Sequence, residues 1–301
     1  MDTLVKLLPA LSGIGVGVLL RLQGAAGDRD ADFMFRLILN VFMPALAFTA
    51  LSRVTLDRTL ALFPLAAVVI ITAGHLAGRV LAARGPFVGT QTAVAICCCM
   101  NVNTSFILPF VQGLYGVDGI ARLAAFDAVN TTLTFTWTAY VAARGNPHRT
   151  DGGSLMAVRR FVHSPPLYGV AAGLLVSAFG LPVPRVIGDP LAAFAGATGL
   201  LIAIAVGIRF QPSVRDVGKA ALVYAGRLGS AVAVATVFVL AFGLTGPDRT
   251  IMLLMSVAPT PFFIVAFATM ENLDVRLAVN VLSLSMVASL PLALLVILLT
   301  S

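Results

Sequence analysis

The two halves of the chain match each other at one fixed offset of 156 residues, with no gaps. The matched pairs are Pro9 and Pro165, Gly13 and Gly169, Gly17 and Gly173, Thr104 and Thr260, and Asp118 and Asp274. A register that holds over more than a hundred residues indicates a duplicated unit. The duplication restricts the chain to folds that are built from two similar halves.

Both halves are too apolar to be covered by water. Hydrophobic residues make up 59% of the chain and charged residues 11%, whereas a soluble domain carries about 25% charged residues. Most of the surface must therefore face a lipid bilayer. The net charge of +7 does not indicate nucleic acid, because the basic residues lie between apolar runs and form no stripe with interleaved aromatic residues. We expect no nucleic-acid partner.

The apolar runs predict ten transmembrane helices, since a span needs roughly 20 apolar residues. The spans lie at about 4–22, 33–52, 59–82, 91–112, 119–142, 165–181, 190–209, 218–243, 249–270 and 276–299. Five spans per half is an odd number, so the second half must enter the membrane from the opposite side. The predicted fold is an all-α membrane protein of two inverted five-helix repeats, residues 1–142 and 161–301, joined by a linker at 143–160.

The distribution of Lys and Arg predicts the orientation. If both termini lie outside, most of the twenty basic residues fall on the cytoplasmic side, together with the 143–160 linker. Cytoplasmic loops are enriched in Lys and Arg. We therefore expect a multi-pass protein of the cell membrane with both termini outside.

Polar residues and prolines interrupt spans four and nine at equivalent depths. They are Asn101, Asn103, Thr104, Ser105 and Pro109 in span four, and Pro259, Thr260 and Pro261 in span nine. Proline removes a backbone donor and clashes with the preceding turn, so regular helical hydrogen bonding fails near it. Two ordinary proline kinks are the alternative. Crossed, broken helices at equivalent positions of inverted halves favour a solute site of a carrier.

Such a site would favour an anion. The N-terminal end of a half-helix carries free N–H groups and about half a positive charge. Neither break contains Lys or Arg, so we expect moderate binding of a small organic anion, first of all a carboxylate.

Other polar residues inside the spans are candidates for coupling or for lining a cavity. Asp127 in span five is predicted to be a proton or cation site, with a neutral, hydrogen-bonded carboxyl as the alternative. Arg227 in span eight either reaches the cytoplasmic headgroups or contacts the anion at a gate. Asn130, Asn40 and Asn280 are expected on faces that line a cavity.

No residue pattern indicates an enzyme. The sequence contains no paired carboxylates on one helix face, no ligands at metal-binding spacing and no phosphate-binding glycine loop. We expect no catalytic residues, no metal site and no cofactor. The adjacent cysteines Cys97, Cys98 and Cys99 point in different directions on a helix, so we expect them to pack as small apolar residues.

Four stretches together make the chain similar to the auxin efflux carrier family, which includes plant auxin exporters and bacterial carriers of malonate and malate. They are Asn40–Ala47, Asn103–Gly116, Phe126–Asn130 and Ala258–Thr260. The family pattern has glycines and one more residue between the Asn and the Pro of span four. Here Ser105–Leu108 fill that stretch, so either Asn101 or Asn103 could contact the solute.

The resemblance implies a scaffold domain of spans one, two, six and seven and a moving transport domain of spans three to five and eight to ten. It also implies a homodimer, and a solute carboxylate that is held at the crossing of the broken helices by Asn side chains and backbone groups. Carried over to this chain, those groups belong to Asn101 or Asn103, Thr104, Pro109 and Pro259.

The sequence therefore predicts a secondary-active carrier of a small organic anion that works by alternating access as one domain shifts against the other. Two alternatives stay open. One is a sodium-coupled carrier with a fold of the bile-acid symporter type. The other is a membrane receptor that binds a metabolite without transporting it.

Overall fold

The computed structural model describes residues 2–52, 58–146, 165–209, 217–261 and 263–300, so most of the predicted linker at 143–160 lies outside the described residues. Within these ranges the regular structure is helical. The helices are α1 (Asp2–Leu22), α2 (Asp28–Leu37), α3 (Met43–Leu51), α4 (Arg58–Arg84), α5 (Thr90–Met100), α6 (Thr104–Leu133), α7 (Ala139–Arg144), α8 (Pro165–Ala178), α9 (Arg185–Arg209), α10 (Val217–Ala241), α11 (Gly246–Val257), α12 (Phe263–Met270) and α13 (Val275–Thr300).

Six helical stretches of the described residues are long and apolar enough to cross a membrane. They are Asp28–Leu51, Arg58–Arg84, Thr90–Arg144, Arg185–Arg209, Val217–Ala241 and Val275–Thr300. The stretch Thr90–Arg144 has 55 residues, more than twice the roughly 20 residues of a single span. It is interrupted at 101–103, and again at Gly116, whose φ of 56° is not helical.

Two π-helical turns keep long helices continuous. Ile38–Phe42 joins α2 to α3, and Thr134–Thr138 joins α6 to α7. Pro44 directly follows the first turn as the second residue of α3, and its missing backbone N–H removes one helical hydrogen bond beside that turn.

The helix of span four is interrupted before Pro109 rather than at it. The chain leaves the helix at Asn101–Asn103, and Pro109 lies inside α6, which begins at Thr104. Pro109 has no N–H for the carbonyl of Ser105 four residues earlier. The proline therefore weakens the first turn of α6, and the helix starts shortly before it.

The chain divides into two compact units. Unit 1 contains residues 1–63, 104–128 and 163–210, and unit 2 contains residues 64–103, 129–162 and 211–301. Unit 1 therefore holds α1–α3, α8 and α9 with most of α6. Unit 2 holds most of α4 together with α5, α7 and α10–α13.

In unit 1 the matched glycines bring helices into close contact in two equivalent ways. A Cβ on Gly17 would lie 2.1 Å from the carbonyl oxygen of Ile204, and a Cβ on Gly173 would lie 3.0 Å from that of Phe48. Phe48 and Ile204 are themselves 156 residues apart. The offset that relates the glycines thus also relates the residues they touch, and α1 packs on α9 as α8 packs on α3.

The same offset relates two pairs of turns. Gly24 and Gly180 have φ of 69° and 58°, and Gly116 and Asn272 have φ of 56° and 53°. Positive φ is costly for most residues but accessible to Gly and, less readily, to Asn. Each pair therefore shares an unusual backbone conformation at matched positions.

Unit 2 has a core of small and aliphatic side chains where α5 packs against α7, α10, α12 and α13. Cys97, Cys98 and Cys99 are free thiols and are buried in this core, which confirms that they pack as small apolar residues. A Cβ on Gly74 of α4 would lie 2.1 Å from the carbonyl oxygen of Cys99. Small residues let the backbones of α4 and α5 approach closely.

Candidate functional site

Two helices of unit 2, α5 and α11, are each followed by a short non-helical segment that is buried. The chain is extended at Asn101, whose φ and ψ are −112° and 161°, and stays non-helical to Asn103. After α11 it is non-helical over 258–261. We call these segments the first break (101–103) and the second break (258–261).

The two breaks contact each other directly. The backbone N–H of Asn103 donates a hydrogen bond to the carbonyl oxygen of Pro259 over 2.9 Å. The Thr260 hydroxyl donates to the carbonyl oxygen of Cys98 over 3.4 Å. Asn103 and Pro259 are 156 residues apart, so the contact joins matched positions of the two halves.

Asn130 of α6 satisfies the backbone of the first break. Its Oδ1 accepts a hydrogen bond from the N–H of Val102 over 3.3 Å, and its Nδ2 donates to the carbonyl oxygen of Val102 over 3.0 Å. The side-chain amide thereby replaces the peptide groups that a continuous helix would provide. Because buried backbone groups need partners, this pair allows the helix to open at Val102.

The side chain of Asn101 is held at both ends of its amide. The Thr134 hydroxyl donates to Asn101 Oδ1 over 2.9 Å, and Asn101 Nδ2 donates to Thr138 Oγ1 over 2.6 Å. Thr134 and Thr138 are one turn apart in the second π-helical turn. All three side chains are buried, so the amide of Asn101 is a fixed part of the wall.

The second break is held by α13. Its Thr260 is fully buried, and its N–H donates to Ser285 Oγ over 3.1 Å. Pro259 and Pro261 have no N–H to offer, and both are buried. The carbonyl oxygen of Pro261 accepts a hydrogen bond from Ile264 in the first turn of α12.

Arg227 of α10 is buried beside the second break. Only 1% of the residue is exposed, and Nη1 donates to the carbonyl oxygen of Ser256 over 3.1 Å. Ser256 lies in the last turn of α11, directly before the break. Arg227 therefore does not reach out to lipid headgroups.

A second polar group lies in unit 1. The Thr104 hydroxyl, at the start of α6, donates to Asp127 Oδ1 over 2.5 Å. Both residues line a small, partly open hollow. Its other lining residues are apolar or small: Met43, Leu46, Ala47, Leu108, Ile120, Leu123 and Ala124.

The remaining predicted residues are more scattered. Ser105 is partly buried and Pro109 is buried, both in α6 of unit 1. Asn40 is exposed, and its Nδ2 donates to the carbonyl oxygen of Arg36 in its own helix. Asn280 is buried in α13 of unit 2. Asn40 does not line the hollow of unit 1, although its neighbour Met43 does.

Sequence reasoning did not select Ser256 and Ser285 as members of the site, and Thr134 and Thr138 entered it only as part of a polar helix face. A signal was available for Ser285, because Ser283, Ser285 and Ser289 recur along one apolar helix. For the apolar lining of the hollow, led by Met43 and Leu46, the sequence offers no such signal, because lipid-facing residues are equally apolar.

Comparison with known families agrees with this architecture. The profile described as membrane transport protein matches residues 3–297. The chain belongs to this family. It is the family that the sequence resemblance indicated, the auxin efflux carriers. As a membrane transport protein with several apolar helices, it is a multi-pass membrane protein.

Two relatives of this membrane transport protein come from archaea. An uncharacterized transporter of Methanothermobacter thermautotrophicus is 28% identical over 299 residues, which cover 96% of each chain. An uncharacterized transporter of Methanocaldococcus jannaschii is 24% identical over 272 residues, or 87% of each chain. The family and these names indicate a transporter rather than an enzyme.

Proposed function

We propose that the protein is a secondary-active carrier of a small organic anion with a carboxylate group, and that the solute binds in unit 2 at the two breaks. The observation that carries the proposal is the hydrogen bond from Asn103 N–H to the carbonyl oxygen of Pro259. It brings two non-helical backbone segments together inside an apolar protein. Unwound backbone at membrane depth is tolerated where it is buried in protein or lines a cavity, which is where carriers bind their solutes.

The chemistry around the breaks favours an anion. α12 begins at Phe263, close to the second break, and a helix N-terminus presents free N–H groups and a partial positive charge. The buried side chains of the breaks carry amides and hydroxyls but no carboxylate. Because the amide of Asn101 already binds Thr134 and Thr138, and Thr260 already binds Cys98 and Ser285, we assign solute contact to Asn103 and the backbone, with Asn101 and Thr260 as support.

Contacts that the 156-residue offset relates to each other support ten spans in two inverted repeats. The equivalent packing of Gly17 and Gly173, and the contact between Asn103 and Pro259, relate the two halves by exchange of matched residues. Transporters built from two repeats show a pseudo-two-fold relation of this kind, and five spans per half, an odd number, would make the repeats inverted.

Polar contacts at helix ends support the proposed ten-span topology, which places these ends together on one side of the membrane. In unit 2 Lys219 Nζ donates to Gln91 Oε1, and Gln91 Nε2 donates to Asp274 Oδ2. These residues lie at or next to the starts of α10, α5 and α13. All three helix starts fall on the cytoplasmic side if both termini lie outside. In unit 1 Arg21 and Arg209 form ion pairs with Asp28 and Asp32, again at helix ends of the proposed cytoplasmic side.

Asp127 is our candidate for the coupling proton. A charged carboxylate against an apolar hollow is costly, and protonation removes that cost. Thr104 is both its hydrogen-bond donor and the first residue of α6. Protonation of Asp127 would change the acceptor at that helix start, which is how a proton could alter the conformation of the chain that follows the first break.

The first prediction tests this function in proteoliposomes with radiolabelled malonate or benzoate and an imposed proton gradient. We expect the native protein to accumulate at least one of them. Asp127→Asn should abolish accumulation above equilibrium but keep exchange of solute without a gradient, because the amide cannot release a proton. The matched control is Asp118→Asn, an exposed carboxylate of the same helix, which should leave accumulation unchanged.

Three outcomes would contradict parts of the proposal. Normal accumulation by Asp127→Asn would remove Asp127 from coupling. Accumulation that needs sodium after collapse of the proton gradient would support the sodium-coupled alternative. Binding without accumulation or exchange by the native protein would support a receptor.

A further inference from the structure

The guanidinium group of Arg227 has an unused edge. Its Nη1 donates to Ser256, but Nε and Nη2 are buried and have no hydrogen-bond partner. Among the residues that the structure describes, no carboxylate forms an ion pair with it. A full positive charge and two strong donors thus lie inside unit 2 without an anion.

The surroundings offset this charge only in part. Ser256 belongs to the C-terminal turn of α11, which carries about half a negative charge. One turn before Arg227, the carbonyl oxygen of Val223 accepts from Cys99 Sγ over 3.4 Å in the last turn of α5. α10 therefore contacts the final turns of both helices that lead into the breaks. These turns supply partial charge but no acceptor for Nε and Nη2.

The geometry of the unused edge selects a particular ligand. Nε and Nη2 lie on the same side of the planar guanidinium, and this side forms two parallel hydrogen bonds with a carboxylate. A neutral amide offers one acceptor and no charge. A halide can accept from both donors, but as a single atom it does not form the two parallel hydrogen bonds of a carboxylate.

We propose that Arg227 binds the carboxylate of the transported solute through its Nε–Nη2 edge, while Nη1 keeps the side chain tied to the end of α11. This inference rests on the proposed function and adds the residue that selects carboxylates. Its position also links binding to the break. The same guanidinium that would bind the carboxylate also donates to the carbonyl oxygen of Ser256, two residues before the second break. Binding of the carboxylate would therefore change the hydrogen bond at the end of α11.

A purely structural role is the competing explanation. Arg227 would then serve only as a fixed positive charge for the ends of α5 and α11. Lys keeps the charge but lacks the two-donor edge, so Arg227→Lys separates the explanations. Arg227→Gln removes the charge as well.

The test measures thermal unfolding of the purified protein in detergent with potassium acetate, benzoate or malonate, and with acetamide or benzamide as uncharged matches. We expect at least one carboxylate, but neither amide, to raise the Tm of the native protein. Arg227→Lys and Arg227→Gln should weaken the binding of that carboxylate on the order of 10- to 100-fold. Arg249→Gln, which removes an exposed arginine of α11, should respond like the native protein.

Carboxylate affinity that is unchanged in Arg227→Lys overturns the inference, and so does a native protein that none of the three carboxylates stabilises. If Arg227→Gln does not fold, Arg227→Lys alone decides. The proposed function is judged separately by accumulation in proteoliposomes. Native accumulation together with full affinity in Arg227→Lys would refute only the role of Arg227, whereas native protein that accumulates no carboxylate would refute the proposed function itself.

Discussion

At the scale of single residues, amide side chains replace backbone in the first break. Asn130 bonds to both the N–H and the carbonyl of Val102, and Asn101 is fixed by Thr134 and Thr138. An extended segment inside an apolar bundle is stable only when its peptide groups have partners. These asparagines therefore stabilise the conformation on which the proposed site depends.

Asn130→Ala should destabilise the protein because it leaves the N–H and the carbonyl of Val102 without these partners. Each buried group that is left unpaired costs about 1–3 kcal/mol. We expect a clearly lower Tm in thermal unfolding of the purified protein. Asn40→Ala is the matched control, since Asn40 is exposed and its amide bonds within its own helix. Equal Tm values for the two variants would show that Asn130 does not hold the break.

At the scale of elements, close helix pairs in unit 1 depend on glycine. Gly17 and Gly207 face each other across α1 and α9, with the Cα of Gly207 2.8 Å from a Cβ built on Gly17. Helices in lipid gain little from the hydrophobic effect and associate through close packing. The contact is therefore sensitive to a single methyl group.

Gly17→Ala should weaken the packing of α1 on α9, because the added Cβ would lie 2.1 Å from the carbonyl oxygen of Ile204. Overpacking of this kind costs about 1–3 kcal/mol, seen as a lower Tm. Gly173→Ala should cost less, since its closest atoms lie at 3.0 Å. Gly15→Ala has no atom within 4 Å of the new Cβ and should be neutral or slightly stabilising. A Tm for Gly15→Ala as low as that for Gly17→Ala would contradict this packing.

At the scale of the whole molecule, the proposed inverted repeats place matched turns on opposite sides of the membrane. The turn after α1 and the turn after α8 share positive φ at Gly24 and Gly180. The next residues, Ala25 and Leu181, are exposed and 156 residues apart. They are suitable reporters, because the three native cysteines are buried.

Ala25→Cys and Leu181→Cys should react with a membrane-impermeant maleimide from opposite sides. In intact cells we expect labelling of Leu181→Cys, which lies outside in the proposed orientation, and labelling of Ala25→Cys only after the membrane is opened. The native protein, with its buried thiols, serves as the unlabelled control. Labelling of both variants in intact cells would exclude inverted repeats.

The sequence by itself determined that the chain spans a membrane, which family it belongs to and which two spans are interrupted. These features are local or periodic: apolar runs of span length, prolines with neighbouring asparagines, and a register that repeats. The 156-residue offset also predicted two matched glycine pairs, Gly13 with Gly169 and Gly17 with Gly173. All four glycines lie at close contacts between helices.

Only the tertiary structure decided which polar residues meet. Thr104 forms a hydrogen bond with Asp127, and Arg227 forms one with the carbonyl of Ser256. Asn101 forms hydrogen bonds with Thr134 and Thr138. The first break lies ahead of Pro109 because the side-chain amide of Asn130 forms hydrogen bonds with the backbone of Val102, 28 residues earlier in the chain. Such partners depend on how helices that are distant in sequence pack side by side. A hydropathy pattern tells which residues avoid water, but it does not tell which side chains face each other.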